Sequence, residues 1–433
     1  MMHSSPHPAH ASSSVPSVKA DNKALLSLNE AKKKIASLTR RKPGHETLAL
    51  TAALGRVLAQ DLISPIDVPA HDNAAMDGYA FASSEASATD EITLSIIGSA
   101  LAGVPFQGQV NTGECIRIMT GAVMPSGCDS VIPYEQLSAQ TDTHITLPAH
   151  AGSPGAHRRL RGEDLQRGCI ALKKGRILTP ADLGLLASLG LTEIKVETRL
   201  RVAFFSTGDE ILTQGEASEH GCVYDSNRYT LLGMLSRLGC VAIDLGIIPD
   251  DAAQLESAFR AACQQADVLI TSGGVSQGSA DLTRLTMNRL GDIAFWQIAM
   301  RPGRPMAFGT IHDGTQSALF FGLPGNPVAV MTSFYFLARP ALLQMMGTEL
   351  TEPLLIPAVT TSQLDKKSGR TEFQRGILKR NLRGQLEVSV TGTQGSGILR
   401  SMSEANCMIV LHHHQDQVQA GEVVDVALFE GLI

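Results

Sequence analysis

The sequence predicts a multidomain fold in which a doubly wound α/β domain is combined with β-rich domains. Between residues 197 and 348, apolar runs typical of buried strands alternate with helical patterns. This alternation indicates a parallel sheet covered by helices. Residues 60–147 and 349–433 instead carry short apolar runs separated by Gly, Pro and Asp. They predict a β-rich inserted domain and a closing β-barrel or sandwich, of which we expect the small barrel.

Residues 21–59 and 148–196 are expected to form one discontinuous connecting domain, because helical patterns return after the inserted segment. Periodicity predicts three helices here, at Ser27–Leu38, Gly44–Leu58 and Pro180–Leu189. Residues 1–20 are rich in Ser, Pro and His and lack the apolar core of a signal peptide. We therefore expect a disordered tail.

The predicted strands and helices of the other domains follow from their apolar runs. In the inserted domain the strands cover Ile92–Ile97, Cys115–Met119 and Ser130–Pro133. The α/β domain has strands at Arg201–Phe205, Val241–Gly246, Val268–Thr271, Ile293–Ala299 and Ala318–Phe321. Its helices cover Ser226–Leu238, Asp251–Gln264, Asp281–Arg289 and Pro327–Met345. The C-terminal strands cover Leu355–Val359, Glu372–Leu378, Gln385–Val390, Cys407–Leu411 and Glu422–Leu428.

Composition and charge argue against several classes of protein. The net charge of −6 disfavours a general nucleic-acid binder, which normally carries an excess of basic residues. The seven cysteines are scattered without a Cys-x-x-Cys pair, which favours reduced thiols in the cytoplasm. No apolar run reaches about 18 residues, so no membrane-spanning helix is expected.

Two Gly-rich turns follow apolar runs of the α/β domain and predict a site for phosphate groups. The first turn contains Ser272, Gly273, Gly274, Ser276 and Gly278, and the second contains Pro324, Gly325 and Asn326. Glycines let backbone N–H groups approach an anion closely. Asn326 followed by Pro327 predicts a capped helix whose positive end faces the ligand. Two such turns at the carboxyl ends of the strands indicate a nucleotide-like or polyphosphate ligand.

Acidic side chains accumulate at the same strand ends, at Asp209, Glu210, Asp225, Asp250, Asp251 and Asp281. Taken singly, Asp225 or Asp251 is explained as well by helix capping. Together, carboxylates at one sheet edge would repel one another, and a hard divalent ion such as Mg²⁺ would relieve that repulsion. Arg301 and Arg304 flank a Pro-Gly turn and suit an oxyanion, with a solvated surface turn as the alternative.

Seven motifs in this order resemble the molybdopterin molybdenumtransferase family, which includes the C-terminal domain of gephyrin and the plant molybdenum insertase. They are DNAAMDGY at 72–79, IMTGA at 118–122, GED at 162–164, FSTGDE at 205–210, YDSNR at 224–228, SGGVS at 272–276 and GLPGNP at 322–327. The resemblance runs from about residue 25 to the end. Taken alone, Asp77-Gly78 and Arg161–Asp164 would be ordinary turns.

The resemblance implies a homodimer of four-domain subunits that binds adenylylated molybdopterin and molybdate. With Mg²⁺, such enzymes insert molybdenum into the dithiolene and release AMP. The family's functional positions fall on Asp77, Thr120, Asp164, Glu210, Asp250, Asp281, Arg301, Arg375 and Ser396. We expect Glu210, Asp250 and Asp281 to hold Mg²⁺ in the α/β domain, which would be the molybdopterin-binding domain.

The positions expected to bind molybdate depart from the family pattern more than the acidic positions do. By the resemblance, Arg375 with Ser396, or Arg301, would hold molybdate. Gln297 stands where the family often has a lysine, and Arg301 replaces another frequent lysine. One positive charge is therefore absent at Gln297, where a charge-assisted contact becomes at best a neutral hydrogen bond.

Two other functions remain open at this point. A molybdopterin adenylyltransferase on the same α/β module would make the adenylylated pterin, but the long N- and C-terminal parts argue against that single-domain activity. A non-catalytic scaffold of the gephyrin type would keep a vestigial site, and the complete acidic set argues against it. Other proteins of molybdenum cofactor biosynthesis are candidate partners, whereas nucleic acid and membranes are not expected.

Overall fold

The computed structural model describes residues 25–217, 220–275, 287, 289–348 and 352–431. Backbone proximity divides the chain into two compact units. The inserted unit comprises Arg40–Arg199 and Leu343–Leu350. The α/β–barrel unit comprises Met1–Thr39, Leu200–Leu342 and Thr351–Ile433. The tail predicted at residues 1–20 lies outside the described residues, and the predicted domain boundaries stay predictions.

The helices begin and end largely where local sequence signals predict. They are α1 Leu28–Leu38, α2 Pro180–Ser188, α3 Asn227–Arg237, α4 Ala252–Gln265, α5 Pro327–Ser333, α6 Arg339–Met345 and α7 Leu399–Glu404. Ser27 begins α1 and Thr179 begins α2, each through a reciprocal capping box. A π-helical stretch, Phe334–Ala338, joins α5 to α6. This combined helix is long and apolar enough to cross a membrane by length and composition, but 78% of its apolar window is buried inside the protein.

The inserted unit is built from twelve short described strands. They are β1 His45–Ala49, β2 Leu62–Ile63, β3 Asn73–Ala74, β4 Gly78–Phe81, β5 Ile92–Ala100, β6 Glu114–Ile118, β7 Ser130–Pro133, β8 Ala139–Gln140, β9 His144–Leu147, β10 Arg158–Arg159, β11 Ile170–Leu172 and β12 Glu193–Glu197. Six of them form a sheet in the order β7-β4-β6-β5-β9-β8. The pairs β1–β12, β2–β11 and β3–β10 join segments that lie far apart in the sequence.

The helix predicted at Gly44–Leu58 is wrong. Strand β1 occupies the first part of this segment and pairs antiparallel with β12, and Leu50–Ala52 forms one 3-10 turn. Leu48 and Leu50 pack on a core that contains Leu58 and Ile194. Their spacing matches a helix by count, but a strand partner distant in the sequence decides the backbone conformation.

The α/β sheet is mixed rather than purely parallel. Its region contains β13 Arg201–Thr207, β14 Ile211–Leu212, β15 Val223–Tyr224, β16 Val241–Ile248, β17 Val268–Ser272, β18 Gly291–Gln297, β19 Met300–Arg301, β20 Pro305–Asp313 and β21 Gln316–Leu323. The order is β16-β13-β17-β21-β20-β18. The first four strands are parallel, whereas β20 and β18 are antiparallel to their neighbours. The apolar pattern does not predict β20, which follows the Pro-Gly turn and runs back along β21.

Aromatic packing fixes helix α4 on this sheet. Phe259 of α4 lies with its ring centroid 5.9 Å from that of Phe205 and 5.3 Å from that of Phe320. Helix α3 packs against β13 and β16. Most of the helix predicted at Asp281–Arg289 lies outside the described residues. The parallel strands β13, β16, β17 and β21 therefore end along one edge of a sheet that helices α3 and α4 cover.

The C-terminal strands close into a five-stranded barrel, as predicted. They are β22 Leu355–Thr360, β23 Thr371–Arg380, β24 Leu386–Val390, β25 Cys407–Leu411 and β26 Val423–Leu428. The order β23-β24-β22-β26-β25 closes because β23 also pairs with β25. Alternate side chains such as Val388, Ile409 and Val426 fill the interior. Strand β19 pairs with β23 and thereby joins the Pro-Gly turn of the α/β domain to the barrel.

Candidate functional site

The two Gly-rich turns meet at the carboxyl ends of β17 and β21. The Gly273 N–H donates to the Leu323 carbonyl at 3.1 Å. Gly273 has φ +97°, and a Cβ added to it would lie 2.5 Å from the Thr207 carbonyl oxygen. A Cβ at Gly325 would lie 3.8 Å from the Gly273 Cα. Only glycine fits at position 273, so the predicted close approach of two backbone turns is present.

Asn227, the first residue of α3, ties these turns together. Its Nδ2 donates to Ser272 Oγ at 2.9 Å and to the Gly325 carbonyl at 2.7 Å. The residue is 8% exposed, and its buried Oδ1 has no hydrogen-bond partner among the described residues. Sequence reasoning missed Asn227, because an amide at a helix start is explained by capping until the fold brings both turns to it.

Asp225 and Asp251 both bind backbone at helix starts, but only Asp251 is an N-cap, because the N-cap of α3 is Ser226. Buried Asp225 accepts hydrogen bonds from Ser206 Oγ at 3.0 Å and from the Arg228 N–H at 3.1 Å, in the first turn of α3. Asp251 is the N-cap of α4 and accepts from the Gln254 N–H at 2.9 Å. These two carboxylates are accounted for by helix starts.

Asp209, Glu210 and Asp250 follow the carboxyl ends of β13 and β16. Asp250 accepts from Thr207 Oγ1 at 2.6 Å, and its N–H donates to Asp209 Oδ1 at 3.2 Å. The Glu210 carboxylate folds back over Gly208, because a Cβ there would lie 2.7 Å from Glu210 Oε2. These side chains therefore bring carboxylate and hydroxyl oxygens to the same end of β13.

Oxygen donors of this kind fit Mg²⁺, which prefers carboxylates and keeps several water ligands. Within the described ranges no three His, Cys, Asp or Glu side chains form a group that could hold a metal ion. Asp281, the third predicted ligand, lies outside the described residues, as do Ser276 and Gly278 of the first turn. The donor set is thus suitable in its chemistry, and the metal assignment stays a prediction.

Arg301 lies where the α/β domain meets the barrel. Its Nη1 is 3.6 Å from Glu372 Oε2, and 57% of its side chain is exposed. Glu372 is 2% exposed at its side chain and also accepts a hydrogen bond from Arg370 Nε at 2.7 Å. Glu372 is thus contacted by two arginines, and more than half of the Arg301 side chain faces solvent.

Arg375 is a buried cation held by neutral groups of the barrel. Its Nε donates to Ser401 Oγ at 2.9 Å, and its Nη2 donates to the carbonyls of Thr393 at 3.2 Å and Gly395 at 3.0 Å. Burial, and to a smaller extent the neighbouring charge of Arg301, lowers the pKa of Arg375 to about 10. Arg375 therefore fixes the loop before Ser396 and adds positive potential there.

Helix α5 starts where predicted, but its first N–H groups are bound differently from the prediction. Pro327 is its first residue and Asn326 occupies the N-cap position, but the Asn326 side chain makes no capping hydrogen bond. Instead, the Ser396 carbonyl accepts the Val328 N–H at 3.1 Å. A barrel loop thus takes one of the N–H groups that the sequence predicted to be open to a ligand.

In the inserted unit the structure brings Asp77 and Thr120 into contact. Asp77 Oδ1 accepts from the Thr120 N–H at 2.7 Å and from Thr120 Oγ1 at 2.6 Å. These hydrogen bonds lower the pKa of the Asp77 carboxyl. Asp164 is exposed in a separate turn, where its N–H donates to the Val68 carbonyl at 3.1 Å.

Comparison with known proteins accounts for this combination of turns, carboxylates and barrel. Three family models match in succession: MoeA N-terminal region (domain I and II) at residues 26–190, Probable molybdopterin binding domain at 203–344, and MoeA C-terminal region (domain IV) at 357–429. The chain is 42% identical to the molybdopterin molybdenumtransferase of Haemophilus influenzae, over 94% of this chain and 100% of that protein. The chain belongs to the molybdopterin molybdenumtransferase family.

Further family members agree in sequence and in fold. Molybdopterin molybdenumtransferase 2 of Mycobacterium tuberculosis is 34% identical, over 88% of this chain and 94% of that protein. A crystal structure of the molybdopterin biosynthesis moeA protein from Pyrococcus horikoshii matches with a TM-score of 0.80 and 27% identity, covering 94% of this chain and all of that one. A further crystal structure of a molybdopterin biosynthesis moea protein from Pyrococcus horikoshii matches with a TM-score of 0.74 and 31% identity, covering 94% of this chain and 99% of that one. The predicted family and fold class are confirmed.

Proposed function

We propose that this chain inserts molybdenum from molybdate into the dithiolene of adenylylated molybdopterin and releases AMP. The observation that carries the proposal is the meeting of the two Gly-rich turns beside Asn227, in a chain 42% identical to a molybdopterin molybdenumtransferase. Adenylylated molybdopterin contains a phosphoanhydride. Backbone N–H groups at two glycine turns suit its phosphate oxygens.

Glu210, Asp250 and Asp281 would hold Mg²⁺ next to these phosphates. Bound Mg²⁺ would supply a Lewis acid that polarises the phosphoanhydride. The hydrogen bond from Thr207 Oγ1 orients the Asp250 carboxylate, and the tight Gly208 turn keeps Glu210 at the same strand end. Preorganised carboxylates of this kind lower the cost of binding the ion.

Molybdate is a tetrahedral dianion and is the second substrate. The exposed face of Arg301 is the contact we favour, because its fork donates two parallel N–H groups. Arg375 would act through the loop that precedes Ser396 and through its positive charge, since its described hydrogen bonds are used by Ser401 and by backbone carbonyls.

The proposal includes a cytoplasmic homodimer in which Asp77, Thr120 and Asp164 of one subunit complete the site of the other. The support is that the Asp77 carboxylate is exposed, while hydrogen bonds from Thr120 hold it in one orientation and lower its pKa. Exposed carboxylates held in one rotamer are typical of binding sites. Other proteins of molybdenum cofactor biosynthesis would deliver and receive the pterin.

The test compares two substrate sets with the purified protein. The proposal predicts AMP release and transferable cofactor from adenylylated molybdopterin, molybdate and Mg²⁺. It predicts no product from ATP and free molybdopterin. Formation of adenylylated molybdopterin in the second reaction, without AMP release in the first, would instead identify an adenylyltransferase.

A further inference from the structure

The amide of Asn227 bridges two turns that are about fifty residues apart in the chain. We propose that Asn227 is a positioning residue, which sets the separation of the Ser272 and Gly325 turns and thereby the affinity for the phosphoanhydride. The inference rests on the proposed function and extends it to a residue that the sequence did not single out.

The chemistry of the two acceptors fixes the orientation of this amide. The Gly325 carbonyl can only accept a hydrogen bond, so the atom 2.7 Å from it must be the Nδ2 donor. The second Nδ2 hydrogen goes to Ser272 Oγ at 2.9 Å. Both donors of the amide are thus used, one for each Gly-rich turn.

The hydrogen bonds of Asn227 lie in a buried, tightly packed part of the α/β domain. Asn227 is 8% exposed and Ser272 is 1% exposed. Gly273 approaches the Thr207 backbone so closely that a Cβ would come within 2.5 Å. The Gly273 N–H ties the first turn to Leu323, so a change at Asn227 acts on the part of the second turn beyond that hydrogen bond, at Gly325.

Asparagine is the residue that this position requires. In an Asn227→Asp variant, a carboxylate oxygen would replace Nδ2 next to the Gly325 carbonyl oxygen. Repulsion between these two oxygens would separate the turns. A protonated carboxyl can donate to that carbonyl instead. Burial next to a carbonyl raises the pKa of a carboxyl, so the missing donor returns as the pH falls.

The experiment measures the dissociation constant of adenylylated molybdopterin, with molybdate omitted, by titration calorimetry at about pH 8 and about pH 6. Asn227→Asp should bind roughly tenfold more weakly than wild type at the higher pH and recover most of that loss at the lower pH. Asn227→Ala should bind roughly tenfold more weakly at both. Ser272→Ala, which removes one acceptor only, should lose less.

Thr230→Ala is the matched control, because Thr230 lies on the same helix and its hydroxyl donates within α3, to the Ser226 carbonyl at 2.9 Å. It should bind like wild type. Melting curves establish that each variant is folded. Wild-type-like affinity of folded Asn227→Asp and Asn227→Ala at the higher pH would overturn the inference alone. Absence of binding by wild type would overturn the proposed function together with it.

Discussion

Asp77 and Thr120 lie 43 residues apart in the sequence, yet one oxygen of the Asp77 carboxylate accepts both the backbone N–H and the hydroxyl of Thr120. The side-chain hydrogen bond is the larger cause of the lowered pKa of Asp77, and the backbone hydrogen bond adds to it. The carboxylate is therefore ionised throughout the neutral range and held in one orientation.

Replacing Thr120 with valine should move the acid limb of activity. Thr120→Val removes the hydroxyl donor, so the pKa of Asp77 rises toward its ordinary value and the carboxylate is lost at a higher pH than in wild type. We expect roughly a tenfold fall in kcat/KM near neutral pH as well. Thr120→Ser keeps the donor and is the control. The measurement is the rate of AMP release from acid to neutral pH. If activity falls at the same acidic pH in Thr120→Val as in wild type, the role assigned to the Asp77 carboxylate is wrong.

A site shared between subunits can be tested by complementation. Asp77→Ala and Asp250→Ala should each give inactive homodimers, because each removes a different part of the proposed site. If each subunit supplies Asp77 to its partner, each heterodimer has one intact site, and a random equal mixture should regain up to about a quarter of wild-type activity. The measurement is AMP release after subunit exchange, with heterodimer formation checked by differential tags. Hybrids that form but stay inactive would exclude this arrangement.

Arg375 should contribute to the stability of the barrel as well as to its charge. Arg375→Met leaves the carbonyls of Thr393 and Gly395 without their buried donor, and we expect the free energy of unfolding to fall by about 3 kcal/mol. Arg380→Met, on the exposed end of the same strand β23, should change it by less than about 0.5 kcal/mol. Urea denaturation compares the two. If both variants lower the free energy of unfolding by the same small amount, the hydrogen bonds from Arg375 to the loop do not stabilise the protein.

Gln297 offers a gain-of-affinity test. Alternation along β18 puts Gln297 on the face of Phe295, opposite to Trp296, and its strand leads to Arg301. Gln297→Lys adds a positive charge and should tighten binding of molybdate or adenylylated molybdopterin by up to roughly tenfold at low salt, and less at high salt. Gln316→Lys adds the same charge at the first residue of β21, away from the carboxyl ends of the parallel strands, and should not change the affinity for either ligand. Equal affinities for both variants would show that Gln297 is remote from the ligands.

Much of the fold follows from local sequence signals. Periodic apolar runs with capping residues predict α1 and α2, and the five barrel strands coincide closely with their apolar runs. The failures have a common physical cause. Strand β1 carries leucines at helical spacing but pairs with β12, and β20 follows a Pro-Gly turn yet pairs with β18 and β21. Partners distant in the sequence decide both segments.

Some residues of the candidate site can also be predicted from local sequence, whereas others depend on tertiary contacts. Glycines and carboxylates at strand ends can be recognised from the sequence, because strand, turn and helix signals place them at one sheet edge. The bridge from Asn227 to Gly325, the Asp77–Thr120 pair and the burial of Arg375 depend on tertiary contacts. No local pattern distinguishes Asn227 from an ordinary residue at a helix start.

In the proposed reaction, adenylylated molybdopterin is cleaved at the carboxyl edge of the α/β sheet only when molybdate is present. The most direct test is to follow AMP release by the purified protein with Mg²⁺ present and molybdate either added or withheld. We predict that AMP release depends on molybdate and yields a cofactor able to activate a molybdenum apoenzyme. AMP release at the same rate without molybdate, or none with it, would contradict the claim.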